Sequence, residues 1–170
     1  VNRLLLKHTL KLADSLGSTS VLADYASIDA PSYSDMGFLE HGLPQGPAKL
    51  VTMLGRCDAL IIAVPEYNWS YPGSLKNIID WISCLKPCPL AGLPILLLAA
   101  SPSLQGGVKG LIHFRVPLDA LGGLVYPRLF TVSDALNAVG EQGIAHERVA
   151  DALKETVEGF LDYSKRLRRA

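Results

Sequence analysis

Leucines at positions 4, 5, 6, 10, 12 and 16, set among Lys, His and Asp, fall at roughly helical spacing, and Gly17 supplies a stop. This predicts a first helix. Ser20-Val-Leu-Ala23 reads as a short strand, and residues 24–44, rich in Ser, Asp, Pro, Gly and Tyr, read as irregular. Pro47 suits the first turn of a second helix, where its missing N–H would be unpaired anyway, with Leu50, Met53, Leu54 and Cys57 as the buried face. Residues 59–64 are an unbroken apolar run and predict a strand. Leu75, Ile78, Ile79 and Ile82, at i, i+3, i+4 and i+7, predict a helix that Pro87 and Pro89 prevent from continuing. Residues 95–100 are apolar at every position, the pattern of a strand buried on both faces. A helix over 108–121 follows, with Pro117 expected to kink or break it. Residues 124–126 and 129–132 predict a last strand interrupted at Pro127. A final helix from about 146 carries the stripe Val149, Leu153, Val157, Phe160, Leu161 and Leu167.

Strands alternating with helices imply a doubly wound α/β fold, a parallel sheet with helices on both sides joined by right-handed crossovers. Ligands in such folds bind beyond the carboxyl ends of the strands. Both polar-rich exits here, PEYNWS after residue 64 and SPSLQGG after residue 100, lie at such ends.

The chain has 170 residues, which fits one domain spanning 1–170, and 49% of them are apolar, as a sheet covered on both faces requires. Sixteen basic and sixteen acidic residues cancel, so no broad charge footprint for nucleic acid or an anionic membrane is expected. The one basic cluster, KRLRR at 165–169, suits a helix C-terminus, where cations oppose the partial negative charge, better than a binding tail. No apolar run approaches the roughly 20 residues of a membrane helix. Three cysteines, Cys57, Cys84 and Cys88, are too few for a disulfide framework and lack the spacing of a metal site. A reduced, cytoplasmic protein without metal is the expectation.

The stretch P-E-Y-N-W-S-Y-P-G-S-L-K-N-I-I-D-W, residues 65–81, carries the candidate chemistry. Pro65 halts sheet pairing because it lacks an N–H, and the chain turns away. Amides released from the ladder can then point at a planar heterocycle, with Tyr67 and Trp69 as apolar walls and Asn68 as an amide that both donates and accepts. Taken singly, Glu66 reads equally as a solubilising helix-end residue, and Tyr67 or Trp69 as a surface aromatic in an ordinary strand-to-helix turn.

In spacing and order, however, P-E-Y-N-x-S-x-P-G-x-L-K-N-x-x-D-W resembles the NADPH-dependent FMN reductase family, a flavodoxin-like group of quinone, chromate, azo-dye and flavin reductases. Asp58-Ala-Leu-Ile-Ile-Ala-Val64 resembles that family's third strand, and Leu90-Ala-Gly-Leu-Pro-Ile95 its approach to the fourth. Gly106-Gly107 with His113-Phe114-Arg115 resembles its GGxRxxxHLR region. The likeness covers most of residues 45–132. It implies noncovalently bound FMN, with Pro65, Glu66, Tyr67 and Asn68 along the isoalloxazine ring and the loop from Ser101 to Gly107 on the other side, Ser101 and Gly106 contributing. Pro102 and Leu104 make this loop stiffer and bulkier than the family's, and Lys109 stands near the place of a frequent Arg. His113 and Arg115 read as packing or subunit-contact residues rather than as a proton donor and an NADPH clamp.

Family members open with a strand and a phosphate-binding loop resembling G-S-x-R-x-x-S-x-N, of which Val1-Asn2-Arg3 matches only the last letters, so Asn2 alone carries over to the cofactor set. The resemblance implies the strand order 2-1-3-4-5, in which a strand before residue 1 is the central one, between those placed at 20–23 and 59–64. Each unpaired buried backbone group costs about 1–3 kcal/mol, so upstream residues or another segment are expected to fill that place. The implied activity is transfer of hydride from NADPH or NADH to FMN and of electrons to a small-molecule acceptor, namely a quinone, azo compound, chromate or free flavin. No separate catalytic side chain is needed, since the cofactor carries the difficult chemistry. A homodimer or homotetramer is implied by analogy. The alternative is a flavodoxin-like binding or regulatory protein without turnover.

Overall fold

The computed structural model describes residues 1–168. Its framework follows chain order: α1 (Asn2–Ser15), α2 (Asp35–His41), α3 (Gln45–Leu54), β1 (Leu60–Ala63), α4 (Gly73–Ser83), β2 (Pro94–Ala100), α5 (Val108–Ala120), β3 (Leu124–Val125), β4 (Phe130–Val132), α6 (Ala135–Ala138), β5 (Val139–Gly140), β6 (Gly143–Ile144) and α7 (Glu147–Arg168).

The strand β2 is the axis of the molecule. It pairs in parallel with β1, Leu60 opposite Ile95 through Ala63 opposite Leu98. On its other side it pairs with β3 at Pro94 and Ile95 and with β4 at Leu98 to Ala100, so β3 and β4 are two halves of one strand interrupted around Pro127. All seven residues of β2 are buried. Their side chains alternate between two cores. Leu96, Leu98 and Ala100 join Leu5 of α1, Phe130 and Val132 of β4, and Leu153, Val157 and Phe160 of α7. Ile95, Leu97 and Ala99 join Leu54 of α3, Ile79 and Ile82 of α4, and Leu111, Phe114 and Leu118 of α5. An apolar run with no polar alternation is therefore the direct consequence of helices on both faces. The expected α/β class and parallel sheet are what the chain forms.

Four expectations need correction. Residues 20–23 form no strand: Val21 is 70% exposed, and strand propensity produces a strand only where a neighbour supplies the ladder. Pro117 does not break its helix, because it lies near the end of α5 and deprives only the carbonyl of His113, an exposed residue, of a partner. The segment 24–44 is not wholly irregular: a turn of 3₁₀ helix spans Tyr25–Ser27, and the Ser34 side chain caps α2 by accepting from the Gly37 amide at 3.0 Å. Trp81 Nε1 donates to the Pro31 carbonyl at 2.8 Å, and the Asn77 carboxamide binds Ala30, Pro31 and the Tyr33 amide, which ties this segment to α4. Finally, Cys57 lies beyond the end of α3 and Leu167 is 37% exposed, so neither belongs to a buried face.

Of the strand order 2-1-3-4-5, only the sequence β1, β2, then β3 with β4, is seen among the described residues, and there β1 pairs on one side alone. All four residues of β1 are half-buried. The basic run at 165–169 continues the last helix as far as Arg168, while Arg169 lies outside the described residues. No helix among the described residues is long and apolar enough to cross a membrane.

Candidate active site at the carboxyl ends of β1 and β2

The ladder between β1 and β2 ends where Val64 donates to Leu98 at 2.8 Å. Pro65 has no N–H to continue it, and the chain leaves the sheet. The next β2 residue facing that side is Ala100, whose amide and carbonyl have lost their strand partner. The Asn2 carboxamide takes the place: it accepts from the Ala100 amide and donates to the Ala100 carbonyl, both at 2.8 Å. A peptide-like group thus completes the ladder and ties the first turn of α1 to the end of β2.

Beyond Pro65 the loop folds into a two-residue hairpin. The Tyr67 amide donates to the Ser70 carbonyl at 2.8 Å and the Ser70 amide returns to Tyr67 at 3.0 Å. The central residues, Asn68 and Trp69, take φ values of 50° and 71°. Positive φ at both positions is what a type I′ turn demands. Asn tolerates that region, whereas for Trp it is strained. Tyr67 and Trp69 are 61% and 67% exposed, so neither buries its ring. Pro72 then caps α4.

The second loop leaves β2 through Ser101, whose amide donates to Val132 at 3.0 Å and whose carbonyl accepts from Ala135 at 3.2 Å. The Ser101 hydroxyl accepts from the Ser103 amide at 3.2 Å. Gly106 and Gly107 both have positive φ, 62° and 91°. A Cβ on Gly106 would stand 3.0 Å from Thr131 and from the backbone of Val132 and Ser133, so this glycine backs onto β4. A Cβ on Gly107 would stand 2.9 Å from Ala99 and 3.7 Å from both Glu66 and Ser101. The junction of the two loops is therefore Gly107.

Glu66 closes the junction. Its carboxylate accepts from the Gly110 amide, in the first turn of α5, at 3.0 Å. An anion at that end of a helix is favoured by the unpaired amides and the aligned peptide dipoles. Gly110 permits the approach: a Cβ there would lie 3.3 Å from Glu66 and from the Ser70 carbonyl. Behind it the rings of Tyr71 and Phe114 meet at 5.0 Å. In front, Lys109 Nζ sits 2.9 Å from the centre of the Trp69 ring.

The structure thus brings Asn2, Pro65, Glu66, Tyr67, Asn68, Ser101 and Gly106 to one end of the sheet. It gives three of them local tasks: Asn2 bridges to β2, Glu66 caps α5, and Gly106 packs on β4. Gly107, Gly110 and Lys109 are further residues at this junction, beside Trp69, which the sequence already offered as an apolar wall. The paired glycines 106 and 107 were the sequence signal for the first of these, whereas the contacts of Gly110 and Lys109 join residues about forty positions apart and leave none.

The two loops meet at the carboxyl ends of β1 and β2, and that junction is the candidate shelf. Among the described residues the amides of Glu66, Asn68 and Gly107 find no protein acceptor. Flat heteroaromatic rings with edge donors and acceptors suit such a shelf. The amides of Glu66, Asn68 and Gly107, with the exposed rings of Tyr67 and Trp69, are groups that fit FMN.

Comparison with known proteins gives the family. The family model described as NADPH-dependent FMN reductase matches residues 1–137. The chain is 39% identical over 97 residues to a quinone reductase of Escherichia coli K12, an alignment covering 57% of this chain and 52% of that protein. It is 31% identical over 155 residues to the NAD(P)H-dependent FMN reductase PA1204 of Pseudomonas aeruginosa, covering 89% of this chain and 82% of that protein. Thus the chain spans about half the length of the E. coli relative. Among solved structures, the flavoenzyme NAD(P)H:(acceptor) oxidoreductase FerB from Paracoccus denitrificans superposes with a TM-score of 0.82 at 25% identity, over 98% of this chain and 90% of that one.

Proposed function

We propose, from the premise that this chain belongs to the NADPH-dependent FMN reductase family, that it is an FMN-dependent oxidoreductase using NADPH or NADH to reduce a small-molecule acceptor. The observation that carries this reading is the mutual clamp at the strand ends, with Glu66 on the Gly110 amide and Gly107 wedged between Glu66, Ser101 and Ala99. It holds the two loops at the ends of β1 and β2 together.

When bound, FMN supplies the chemistry of accepting hydride from a nicotinamide and releasing electrons to an acceptor. Everything else falls to the chain. The amides of Glu66, Asn68 and Gly107, without protein acceptors among the described residues, would hold FMN, and the Tyr67 and Trp69 side chains would limit access of water. Ser101 presents its hydroxyl beside the shelf, held by the Ser103 amide. Asn2 acts on the first turn of α1 through Ala100, so its part is positioning rather than direct contact.

Quinones are the acceptors we favour, with azo compounds, chromate and free flavin as the wider class. The domain is one unit over 1–170, working in the cytoplasm. A homodimer or homotetramer is the expected assembly: Ile112 and Val116, one helical turn apart on α5, are 51% and 66% exposed and present an apolar stripe beside the shelf.

The test is purification with FMN, visible flavin absorbance after gel filtration, and NADPH oxidation dependent on added quinone. Colour with turnover supports the reading. Flavin retained without NADPH oxidation, or no flavin uptake by the longest soluble form of the protein, overturns it and favours a binding or regulatory protein.

A further inference from the structure

The strained residue in the site is the one with least structural reason to be there. Trp69 adopts φ of 71°, where Gly belongs, at the second central position of a type I′ turn. Strain of this kind in a bulky residue is normally offset by burial, yet Trp69 is 67% exposed. Packing therefore does not account for it. Its one specific contact is Lys109, whose ammonium lies 2.9 Å from the ring centre and occupies one face. Lys109 in turn has no carboxylate partner among the described residues. Glu66, the nearby acid, is engaged with the Gly110 amide. A positive charge without a carboxylate partner is thus held against one face of an indole that stays 67% exposed.

We propose that Trp69 and Lys109 form an outer stacking platform that selects flat aromatic ligands carrying a negative group over neutral ones of the same size. The indole receives the ring by stacking, and the ammonium, held at its opposite face by the cation–π contact, attracts the anion across a few ångströms. One ligand class of the proposed reaction has this chemistry: an anionic quinone as acceptor. The inference rests on the reading above, although the platform itself belongs to the protein without flavin.

The probes are 1,4-naphthoquinone-2-sulfonate against unsubstituted 1,4-naphthoquinone. Binding is read first by quenching of tryptophan fluorescence in flavin-free protein, where Trp69→Phe identifies the share of the signal due to residue 69 against Trp81. Lys109→Met is expected to lower the sulfonate-to-neutral affinity ratio about tenfold, the scale of losing one nearby surface charge. In the wild type that ratio should fall with rising salt. The same change in the ratio of kcat/KM values is expected in flavin-loaded protein. Trp69→Gly should relieve the turn, so its melting temperature should not fall while its affinity for the anionic probe does. Unchanged ratios in Lys109→Met overturn the proposal. So does a Trp69→Gly protein that melts several degrees lower, or one that changes only its oligomeric size. A flavin-free chain that discriminates between the probes, yet shows no turnover once loaded, would refute the enzyme reading and leave the platform standing.

Discussion

Replacing Asn2 by Ala removes a carboxamide that holds both main-chain groups of Ala100 at 2.8 Å. Ala100 is 4% exposed, so its freed N–H and C=O are not already in water. A net contribution of about 0.5–1.5 kcal/mol for each bond gives a lower figure, and leaving both groups wholly unpaired, at about 1–3 kcal/mol each, gives an upper one. Asn2 is itself half-buried, and its truncation opens a path for water to the vacated groups. The loss should therefore sit near the lower figure, about 2 kcal/mol, which for a chain of this size is a fall of roughly 4–8 °C in melting temperature.

Urea denaturation of the flavin-free protein, followed by far-ultraviolet circular dichroism, measures this without any contribution from cofactor. Asn2→Asp supplies the sign. At neutral pH its carboxylate still accepts from the Ala100 amide but sets a second oxygen against the Ala100 carbonyl. Protonation restores the donor, so the deficit relative to wild type at the same pH should narrow as pH falls through about 4. A loss below about 0.5 kcal/mol for Asn2→Ala, smaller than one ordinary hydrogen bond, would refute the bridge. So would a loss that appears only when flavin is bound, since that would make Asn2 a cofactor ligand.

Three further outcomes are expected. Gly107→Ala places a Cβ 2.9 Å from Ala99 on a backbone at φ 91° and should destabilise by about 2–3 kcal/mol in thermal or urea melts while loosening the shelf for FMN. Glu66→Gln keeps an acceptor for the Gly110 amide and gives up only the charge at the start of α5, so it should cost about 0.3–1 kcal/mol, and Glu66→Ala measurably more. The Tyr33 phenol is pushed up from its ordinary value, chiefly because it donates to the Asp35 carboxylate at 2.6 Å, with Cys84 at 3.1 Å adding to the effect. That contribution to stability is complete below about pH 10 and is lost as pH rises towards the higher folded value, so Tyr33→Phe should flatten the alkaline decline and remove a late-titrating phenolate from the absorbance curve.

What the chain spelled out in advance follows from where each interaction is made. Residues 95–100 could be read because β2 is covered on both faces and paired on both edges, so no polar residue interrupts them. The exit after Val64 could be read because proline, glycine and asparagine at a strand end leave the backbone few choices. By contrast, Ser20 to Ala23 has the composition of a strand, and composition says nothing of whether a partner lies alongside. The α2 helix escaped because its signal is one capping serine and one acid within a segment dominated by turn residues. Contacts closed by the fold were also hidden. Asn2 and Ala100 are 98 positions apart, and Glu66 and Gly110 are 44 apart. Neither residue type announces its partner.

These long-range contacts decide how charge is distributed at the shelf. Glu66 is the only carboxylate in either loop, and by accepting from α5 it places its negative charge against the positive end of that helix, worth about half an elementary charge. The two largely offset each other. Lys109, one residue before Gly110, has no such counterpart among the described residues, so the field at the mouth is set by its ammonium. What the two loops leave without a protein acceptor or a carboxylate partner, among the described residues, is the amides of Glu66, Asn68 and Gly107 and the Lys109 ammonium held on the Trp69 ring. Moving the acid away from α5, as in Glu66→Ala with a carboxylate returned by Ser70→Asp, should therefore weaken the preference for anionic ligands even where the fold survives.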